Sequence, residues 1–541
     1  MRVSRAGAAL GAGILSVWLL GGVAGAQEQI FDPENPWMEE SREDEVDEAD
    51  KADDSEEEPQ ERVERALMER TTWGAEYEVG VLSDAWLRPR GRDAFEFVGG
   101  LGLELRHEIS EETRIVVSGR FRYWAAAGRA DDGPGLDDWR ARYEPRLDRA
   151  YVLHRPGRWS FSVGQMRNRW GSTDIVAPGD VIDPVDMRDG AGIGEAMSQL
   201  SAVAGYSGGD WAVRAVLVPF FQPNRMTLFG SDGALVSESN PLVAEQLPFL
   251  LLAERLIGPE SYSEAQDFLQ SAGRPQPLPK NVSAGARGTW TVGGTDLGLG
   301  GFFGWDRTPW VEIDEDMRDL LTLVAEDGQV FDDYDFLGFF GRNPEAFETS
   351  QRVAAKAEAG EELLVSEYRR RATFLVDAAR YVGPIGVRAD VAFSPGRVLY
   401  TREFEPRMMP AVFSAVGLSY ERLLEGVRPL ALTVEGFHFY AFQQADDEAE
   451  LLLVDGGYYG VAGAVSWHTG LWDLEVEAGG MGSISPGDVV GQASVSRAFR
   501  SEVQVTLGGR YFWGPDVEEA LTPGGIWAHN DRVFVLVGGV W

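Results

Sequence analysis

The chain has 541 residues and a formal net charge of −38, because 87 aspartates and glutamates outnumber 49 lysines and arginines. This balance excludes nucleic acid as a partner, since contact with phosphate requires a basic face. The chain contains no cysteine, which excludes disulfides, zinc–thiolate sites and a thiol nucleophile.

Residues 1–26 have the pattern of a signal peptide. The basic start MRVSR precedes the apolar run AGAALGAGILSVWLLGGV, and the small residues AGA end at Ala26. A membrane anchor is the alternative interpretation, but small residues directly before an acidic segment favour cleavage and export. No later stretch reaches the ~20 uninterrupted apolar residues of a membrane-spanning helix.

Residues 27–72 form an acidic segment that we expect to be a largely disordered periplasmic tail. Its stretch EESREDEVDEADKADDSEEEPQERVERALMER is mostly carboxylate with scattered arginine. Such a segment repels itself and buries too little apolar area to fold. Two roles remain open for it: docking to a periplasmic partner, or acting as a solvated linker.

From residue 73 to residue 541 the dominant pattern is alternation of apolar and polar residues, which is typical of strands with two different faces. In FEFVGGLGLELRHEI, Phe95, Phe97 and Leu101 alternate with Glu96 and Glu104. The stretches RIVVSGRFRYW, LWDLEVEAGG and DRVFVLVGGVW repeat the pattern. The chain therefore reads as an all-β protein.

Three features favour a transmembrane antiparallel β-barrel over a soluble sandwich. The strands are long enough for a tilted crossing, and short turns such as HRPGRW and TVGGTD alternate with longer acidic loops. Aromatic residues gather at the strand ends, as an interfacial girdle requires. Near the short turns lie Trp159, Trp211, Trp290, Trp467 and Trp472, and at the opposite ends lie Trp124, Trp170, Trp305, Trp310 and Trp513.

We count about 18 strands (16–18), with both chain ends on the periplasmic side and long external loops that carry short helices. The expected location is the outer membrane of a Gram-negative bacterium, in contact with outer-membrane lipid and lipopolysaccharide. Trp541, at the end of an alternating strand, resembles the C-terminal insertion signal of outer-membrane proteins. A barrel of this width leaves a lumen that its own side chains cannot fill.

Strand parity predicts two charged walls that line this pore. The basic wall consists of Arg106, Arg114, Arg120, Arg122, Arg214, Arg287, Arg371 and Arg388. The acidic wall consists of Glu76, Glu78, Glu96, Glu104, Glu435, Glu475, Glu477 and Glu502. Opposed walls would set up a transverse field that filters solutes by charge. The alternative is that these groups, with Asp377 and Asp390, pair with one another across the interior.

Residues 222–280 and 309–367 are too long for simple connectors and are expected to be external lids or plugs. Each contains a helical pattern, LVAEQLPFLLLAERLI in the first and PEAFETSQRVAAKAEAGEELL in the second. The acidic stretches EIDEDMRD and DDYD could bind calcium, but their spacing matches no defined calcium loop. A solvated acidic surface is the preferred interpretation, and no metal or cofactor is predicted.

The stretch LDRAYVLHRPGRWSFSVGQMRNRWGSTDIVAPGDVIDPVDMRD, Leu147 to Asp189, resembles porin-like outer-membrane proteins related to alginate-export channels and their uncharacterised relatives. The resemblance implies a barrel in which the loop 168–196 folds inward near the pore. We expect this loop to be held by Arg167, Arg169, Trp170, Asp174, Asp180, Asp183, Asp186 and Arg188. The same residues would suit a structural latch and a selectivity constriction.

These patterns predict a porin-like channel for passive diffusion of small polar or anionic solutes, with a homotrimer as one assembly. A plugged barrel that anchors a periplasmic partner through the acidic tail is the alternative. A hydrolase is disfavoured, because GYSGG, residues 205–209, matches G-x-S-x-G but continues as a strand rather than a helix. The histidines His107, His154, His438, His468 and His529 have no metal-ligand spacing, and none is a predicted catalyst.

Overall fold

The computed structural model describes residues 71–83, 93–128, 139–186, 195–225, 279–326, 336–361, 363–401, 405–424, 427–443, 451, 457–469, 471–472, 474–499, 503–516, 522–528 and 530–540. The predicted signal peptide, the acidic tail, Arg188, Glu502, His529 and Trp541 lie outside these residues, as does most of the loop 222–280.

The described strands follow in chain order. They are β1 (Thr71–Ser83), β2 (Asp93–Ser110), β3 (Thr113–Gly128), β4 (Trp139–His154), β5 (Trp159–Met166), β6 (Val185–Asp186), β7 (Glu195–Ala196), β8 (Gln199–Ser207), β9 (Trp211–Val218), β10 (Ser283–Val292), β11 (Thr295–Trp305), β12 (Trp310–Ile313), β13 (Leu364–Glu367), β14 (Arg370–Val382), β15 (Ile385–Tyr400), β16 (Pro406–Leu424), β17 (Val427–Ala441), β18 (Tyr458–His468), β19 (Leu474–Ser485), β20 (Asp488–Phe499), β21 (Val503–Trp513) and β22 (Arg532–Val540).

Eighteen of these strands form one antiparallel sheet that closes on itself. The first strand β1 pairs with β2 on one side and with the last strand β22 on the other. The two-stranded ribbons β6–β7 and β12–β13 lie outside this sheet. The predicted antiparallel barrel of about 18 strands is therefore confirmed, and closure leaves no unpaired edge.

The two faces of the barrel differ in chemistry because side chains alternate along each strand. On β2 the exposed apolar residues Phe95, Leu101, Leu103 and Leu105 alternate with residues of the opposite face. Exposed valine, leucine and phenylalanine side chains recur in the same way around the other strands. The outer face is thus apolar, and the polar residues between these positions point into the barrel.

Exposed aromatic rings lie along the rim that carries the short turns. Trp159 and Trp211 both contact Tyr206, with ring centroids 4.8 and 5.4 Å apart, and Trp211 pairs in register with Trp290. At the opposite rim, two of the predicted girdle residues do not face outward. Trp124 points inward and donates from Nε1 to Glu96, and Trp170 is buried in the interior.

The loop 309–367 carries a small helical unit outside the barrel wall. Its helices are α1 (Glu315–Glu326), α2 (Phe336–Arg342) and α3 (Pro344–Glu358), the last formed by the predicted helical stretch. Phe339 and Ala346 are buried between them. The ribbon β12–β13 attaches this unit to β15, where Val311 donates its backbone N–H to the Tyr400 hydroxyl over 2.9 Å.

Two further elements complete the described structure. A single-turn 3-10 helix spans Pro279–Asn281, and the short helix α4 (Pro523–Ile526) is capped by the Thr522 hydroxyl. In the part of the chain that the structure describes, none of the helices combines the length and apolar character needed to cross a membrane. The GYSGG stretch forms the hairpin between β8 and β9.

Candidate functional site

Residues 167–198 connect β5 to β8 and cross the interior of the barrel; we call them the crossing loop. Their described parts, 167–186 and 195–198, contact β15 and β17 at one end and β3 and β4 at the other. In the order of strands around the sheet, these two pairs lie about half of the circumference apart. The loop therefore spans the lumen between opposite walls.

Two buried carboxylates pin the crossing loop to the first wall. Glu435 on β17 accepts three successive backbone N–H groups, from Asp174, Ile175 and Val176, over 2.6, 3.0 and 2.6 Å. Asp390 on β15 accepts the backbone N–H and hydroxyl groups of Ser172 and Thr173 over 2.6–3.3 Å. Both carboxylates are 0% exposed, so these charge-assisted bonds replace water completely.

The geometry at this pin depends on a glycine. Gly171 has φ +102°, a conformation that side-chain-bearing residues rarely adopt. A Cβ placed there would lie 2.4 Å from the Asp390 carboxylate. The Trp-Gly pair of the sequence is thus explained by the close approach of the loop backbone to Asp390.

Glu195 holds the crossing loop to the opposite wall. Its carboxylate contacts Arg122, Arg146, Arg167 and Arg120 over 2.6, 3.1, 3.1 and 3.3 Å. Burial alone would raise the pKa of Glu195, but the four guanidinium groups outweigh it and lower the pKa to about 2. Asp148 of β4 also contacts Arg120 and Arg146, over 3.1 and 2.8 Å, so a loop carboxylate and a wall carboxylate share this cluster of arginines.

An apolar cluster fixes the middle of the loop against β10, β11 and β14. Trp170 is 1% exposed and packs edge-on against Phe302, with the ring centroids 6.4 Å apart. Ile182 and Leu375 belong to the same cluster. Gly285 on β10 makes room for Trp170, because a Cβ there would lie 2.7 Å from the indole ring. The loop thus has a packed core of its own inside the barrel.

The other predicted latch residues contact both the barrel wall and the loop itself. Asp174 pairs with Arg388, and Asp186 lies 3.6 Å from Arg146. Arg169 donates to the backbone carbonyl oxygens of Thr173 and Asp174.

Two more aspartates of the latch lie beside each other, Asp183 buried and Asp180 half-buried. Asp183 accepts from the backbone N–H of Asn168, whereas Oδ1 of Asp180 has no hydrogen-bond partner among the described residues. Burial, reinforced for Asp180 by neighbouring Asp183, raises the pKa of Asp180 to about 7; burial raises that of Asp183 to about 6.

All residues of the predicted basic wall point into the barrel, and none of them is without a partner. Arg120 and Arg122 contact Glu195, Arg287 contacts Asp377 over 2.5 Å, and Arg371 lies 3.4 Å from Asp306. The remaining contacts are those of Arg106 with Glu104, of Arg214 with the side-chain oxygen of Asn168, and of Arg388 with Asp174. For these residues the structure therefore shows the alternative of internal pairing. Arg114 also faces inward, from β3.

The predicted acidic wall divides into paired and unpaired residues. Glu76 contacts Arg120, Glu96 contacts Arg532, Glu104 contacts Arg106, and Glu435 serves the crossing loop. By contrast, among the described ion pairs and hydrogen bonds none involves the side chains of Glu78, Glu475 or Glu477. Glu78 lies on β1, and Glu475 and Glu477 lie on β19, two strands beyond the β17 strand that carries Glu435.

Several residues that organise the site were not selected from the sequence. Glu195 lies inside the range predicted for the inward-folding loop, and the alternation of residues on β4 points Arg146 into the barrel. The sequence pattern could therefore have identified both residues. The alternation could not have identified Arg397, because the pairing register between β15 and β16 shifts between Ser394 and Arg397. This irregularity turns an odd-numbered residue inward on a strand whose other inward residues are even-numbered.

The external acidic stretch after β12 is neutralised by protein groups. Lys356 on α3 lies 2.7 Å from both Asp314 and Asp316. Hydrogen bonding from Lys356 lowers the pKa of both aspartates. Within the described ranges, no group of three or more histidine or acidic side chains is arranged to hold a metal ion.

No protein-family model matches the chain, and no curated protein sequence matches it. Among solved structures, the chain is similar to Pseudomonas putida OprB at high pH, with 10% identity, 88% of this chain and 96% of that chain covered, and a TM-score of 0.39. It is similar to Pseudomonas aeruginosa OccK7 (OpdD), with 8% identity, 87% and 98% covered, and a TM-score of 0.40. A mutant of Rh. blastica porin has 10% identity, 87% and 100% covered, and a TM-score of 0.33.

The barrel is established by the strand pairing of the chain itself and not by these similarities. The relation of Leu147–Asp189 to alginate-export channels stays a prediction, because no family matches.

Proposed function

We propose that the protein is a porin-like channel of the outer membrane through which small polar solutes diffuse passively. Three properties support this proposal: a closed barrel of 18 strands, an apolar outer face and a charged interior. Barrels of 16–18 strands are wide enough to leave an aqueous channel. The apolar outer face is the surface that lipid, lipopolysaccharide and neighbouring copies of a homotrimer would contact.

The observation that carries the proposal is the one-sided placement of the crossing loop. Its pins and packed core lie against the strands from β3 to β17. On the remaining arc, from β18 through β22 to β2, Glu475 and Glu477 of β19 point inward without an ion-pair partner among the described residues. An ionised carboxylate without a partner requires water. A water-filled passage along β19 therefore fits the structure better than a lumen plugged throughout.

The free charges along this passage favour polar solutes. Arg120, Arg122 and Arg388 already form ion pairs with carboxylates of the crossing loop. Their guanidinium groups are therefore less available to attract an anionic solute. Unpaired glutamates on the other side favour water and polar groups over apolar ones. Diffusion of small anions is therefore the less supported half of the sequence-based prediction.

Single-channel conductance of the purified protein in a planar bilayer tests the proposal. We expect steady conductance in salt and permeation of small sugars in a liposome-swelling assay, with a size cut-off. Absence of both, also after the crossing loop is released by replacing Glu435, would refute the channel. That result would favour the plugged barrel that anchors a periplasmic partner through the acidic tail.

A further inference from the structure

A cavity of about 60 Å³ lies between the crossing loop and the barrel wall, at the end that carries the long loops. Wall residues Thr373, Ser394 and Arg397 line it, together with Asp306 and Arg307 from the chain after β11. This volume has room for a few water molecules or one small polar group. It is too small for a polymer.

Arg397 gives the cavity an uncompensated positive charge. Its guanidinium lies over the Phe439 ring, 5.0 Å from the centroid. Among the described ion pairs and hydrogen bonds, none involves the Arg397 side chain. A guanidinium removed from bulk water without a counter-charge is costly. The cavity is therefore incomplete without an anion.

The neighbouring charges do not supply this anion. Asp306 accepts from the backbone N–H groups of Thr308 and Val398 over 3.1 and 3.2 Å. Its contact with Arg371 is long, at 3.4 Å. Asp183 and Arg307 also line the cavity and attract each other, so Asp306 is the carboxylate left to face both Arg371 and Arg397. A second anion would complete the charge balance.

The cavity also offers neutral donors. The hydroxyl groups of Thr373 and Ser394 lie 2.9 Å apart, and one of their two protons remains free to turn towards the cavity. Asp180 also lines it. Because burial and neighbouring Asp183 raise the pKa of Asp180 to about 7, below this pH Asp180 is mostly a protonated acid that can donate.

We propose that this cavity binds the carboxylate group of a small solute between the guanidinium groups of Arg397 and Arg371. The planar guanidinium fork matches a carboxylate in shape as well as in charge. The proposal rests on the channel function in one respect, that the solute reaches the cavity through the lumen. It names a class of solute, small monocarboxylates, that the channel would retain at its outer end.

Titration calorimetry of the full chain in detergent at pH 6, with acetate as the probe, tests the proposal. We expect saturable binding that weakens at least tenfold in Arg397→Gln and is partly kept in Arg397→Lys. The matched control is Arg510→Gln, which removes an inward arginine of β21 that is bonded to Gln492 and should leave binding unchanged. Above pH 7 binding should weaken in the wild type, where deprotonated Asp180 joins Asp183 and Asp306, and less in Asp180→Asn.

Equal binding in the wild type and Arg397→Gln would overturn the site, as would no binding at all. Binding of chloride or phosphate as tight as that of acetate would overturn the assignment to carboxylates. Arg397→Gln removes an unpaired charge, so thermal unfolding at an unchanged or higher temperature would show that it folds. Conductance without acetate binding would refute the carboxylate site and leave the channel function standing. Acetate binding without conductance would refute the channel function and leave the carboxylate site standing.

Discussion

Replacement of Glu435 by alanine should release the crossing loop. The substitution removes the acceptor of three backbone N–H groups, of which those of Ile175 and Val176 belong to buried residues. An unsatisfied buried polar group costs about 1–3 kcal/mol, so the three together cost about 3–9 kcal/mol. Because the barrel is held by its own strand pairing, we expect the loop to detach before the barrel unfolds.

The lower limit of ~3 kcal/mol corresponds to a roughly 100-fold increase in the opening equilibrium of the segment 174–176. Hydrogen–deuterium exchange of the purified protein measures this opening, and single-channel recording measures the wider passage that should accompany it. Glu435→Gln keeps one acceptor oxygen and should have a smaller effect. Glu477→Ala, which removes an inward glutamate remote from the loop, is the control.

The reasoning fails if exchange of the segment 174–176 and the conductance both stay at the wild-type level in Glu435→Ala. It also fails if Glu477→Ala increases exchange of the same segment equally. In that case the three hydrogen bonds to Glu435 would not be what holds the loop.

Three further predictions concern charge. The double substitution Glu475→Gln with Glu477→Gln should raise the permeability of anions relative to cations, seen as a shift of the reversal potential. The lowered pKa of Glu195, about 2, means that its contribution to loop docking is fully present above its ordinary value of 4.5 and is lost as pH falls through about 2. The contribution of Glu195 to loop docking should therefore be constant from pH 7 to pH 5, whereas Glu195→Gln should show a released loop throughout. The raised pKa of Asp180 has the opposite consequence: docking is strongest below its ordinary value of 3.8, weakens as pH rises, and levels off above about 7. Asp180→Asn should flatten this dependence in hydrogen–deuterium exchange of the loop.

Each of these three predictions has a contrary result. For the double substitution, a shift no larger than that of Glu367→Gln, on the external ribbon, would show that the two glutamates do not face the passage. For Glu195, wild-type exchange of the loop in Glu195→Gln at pH 7 would contradict its role. For Asp180, an unchanged slope between pH 4 and pH 7 in Asp180→Asn would assign that slope to other groups.

The barrel could be predicted from the sequence because strand alternation is a pattern of residues that are neighbours in the chain. Alternation such as that of Phe95 to Leu105 follows directly from strand geometry, and an apolar face without a second sheet to cover it requires lipid. Inward parity was correct for Glu475, and also for Arg120, because the register shift beside Arg120 adds its extra residue on the partner strand β4. Arg397 lies beyond such a shift, which no residue pattern announced.

The crossing loop was predicted to fold inward, but its partners were not. The contacts of Asp174 with Arg388 and of Ser172 with Asp390 join positions more than 200 residues apart. Such pairs depend on which strands face each other across the closed barrel, and a single sequence carries no signal of this. The same holds for Glu435. The alternation on its strand predicts that the side chain points inward, but it does not predict the three backbone N–H groups from which the carboxylate accepts hydrogen bonds.

The crossing loop also makes the barrel mechanically uneven. It ties β3 and β4 to β15 and β17 across the lumen, as a strut braces a ring along one diameter. Among the described residues, the arc of wall from β18 through β22 to β1 is held by its own strand pairing and by the short helix α4, which packs against β20 and β21. Lateral pressure from the membrane would therefore be absorbed mainly by this arc, which also carries Glu475 and Glu477. Membrane tension would then change the width of the passage on the side where water and solutes move.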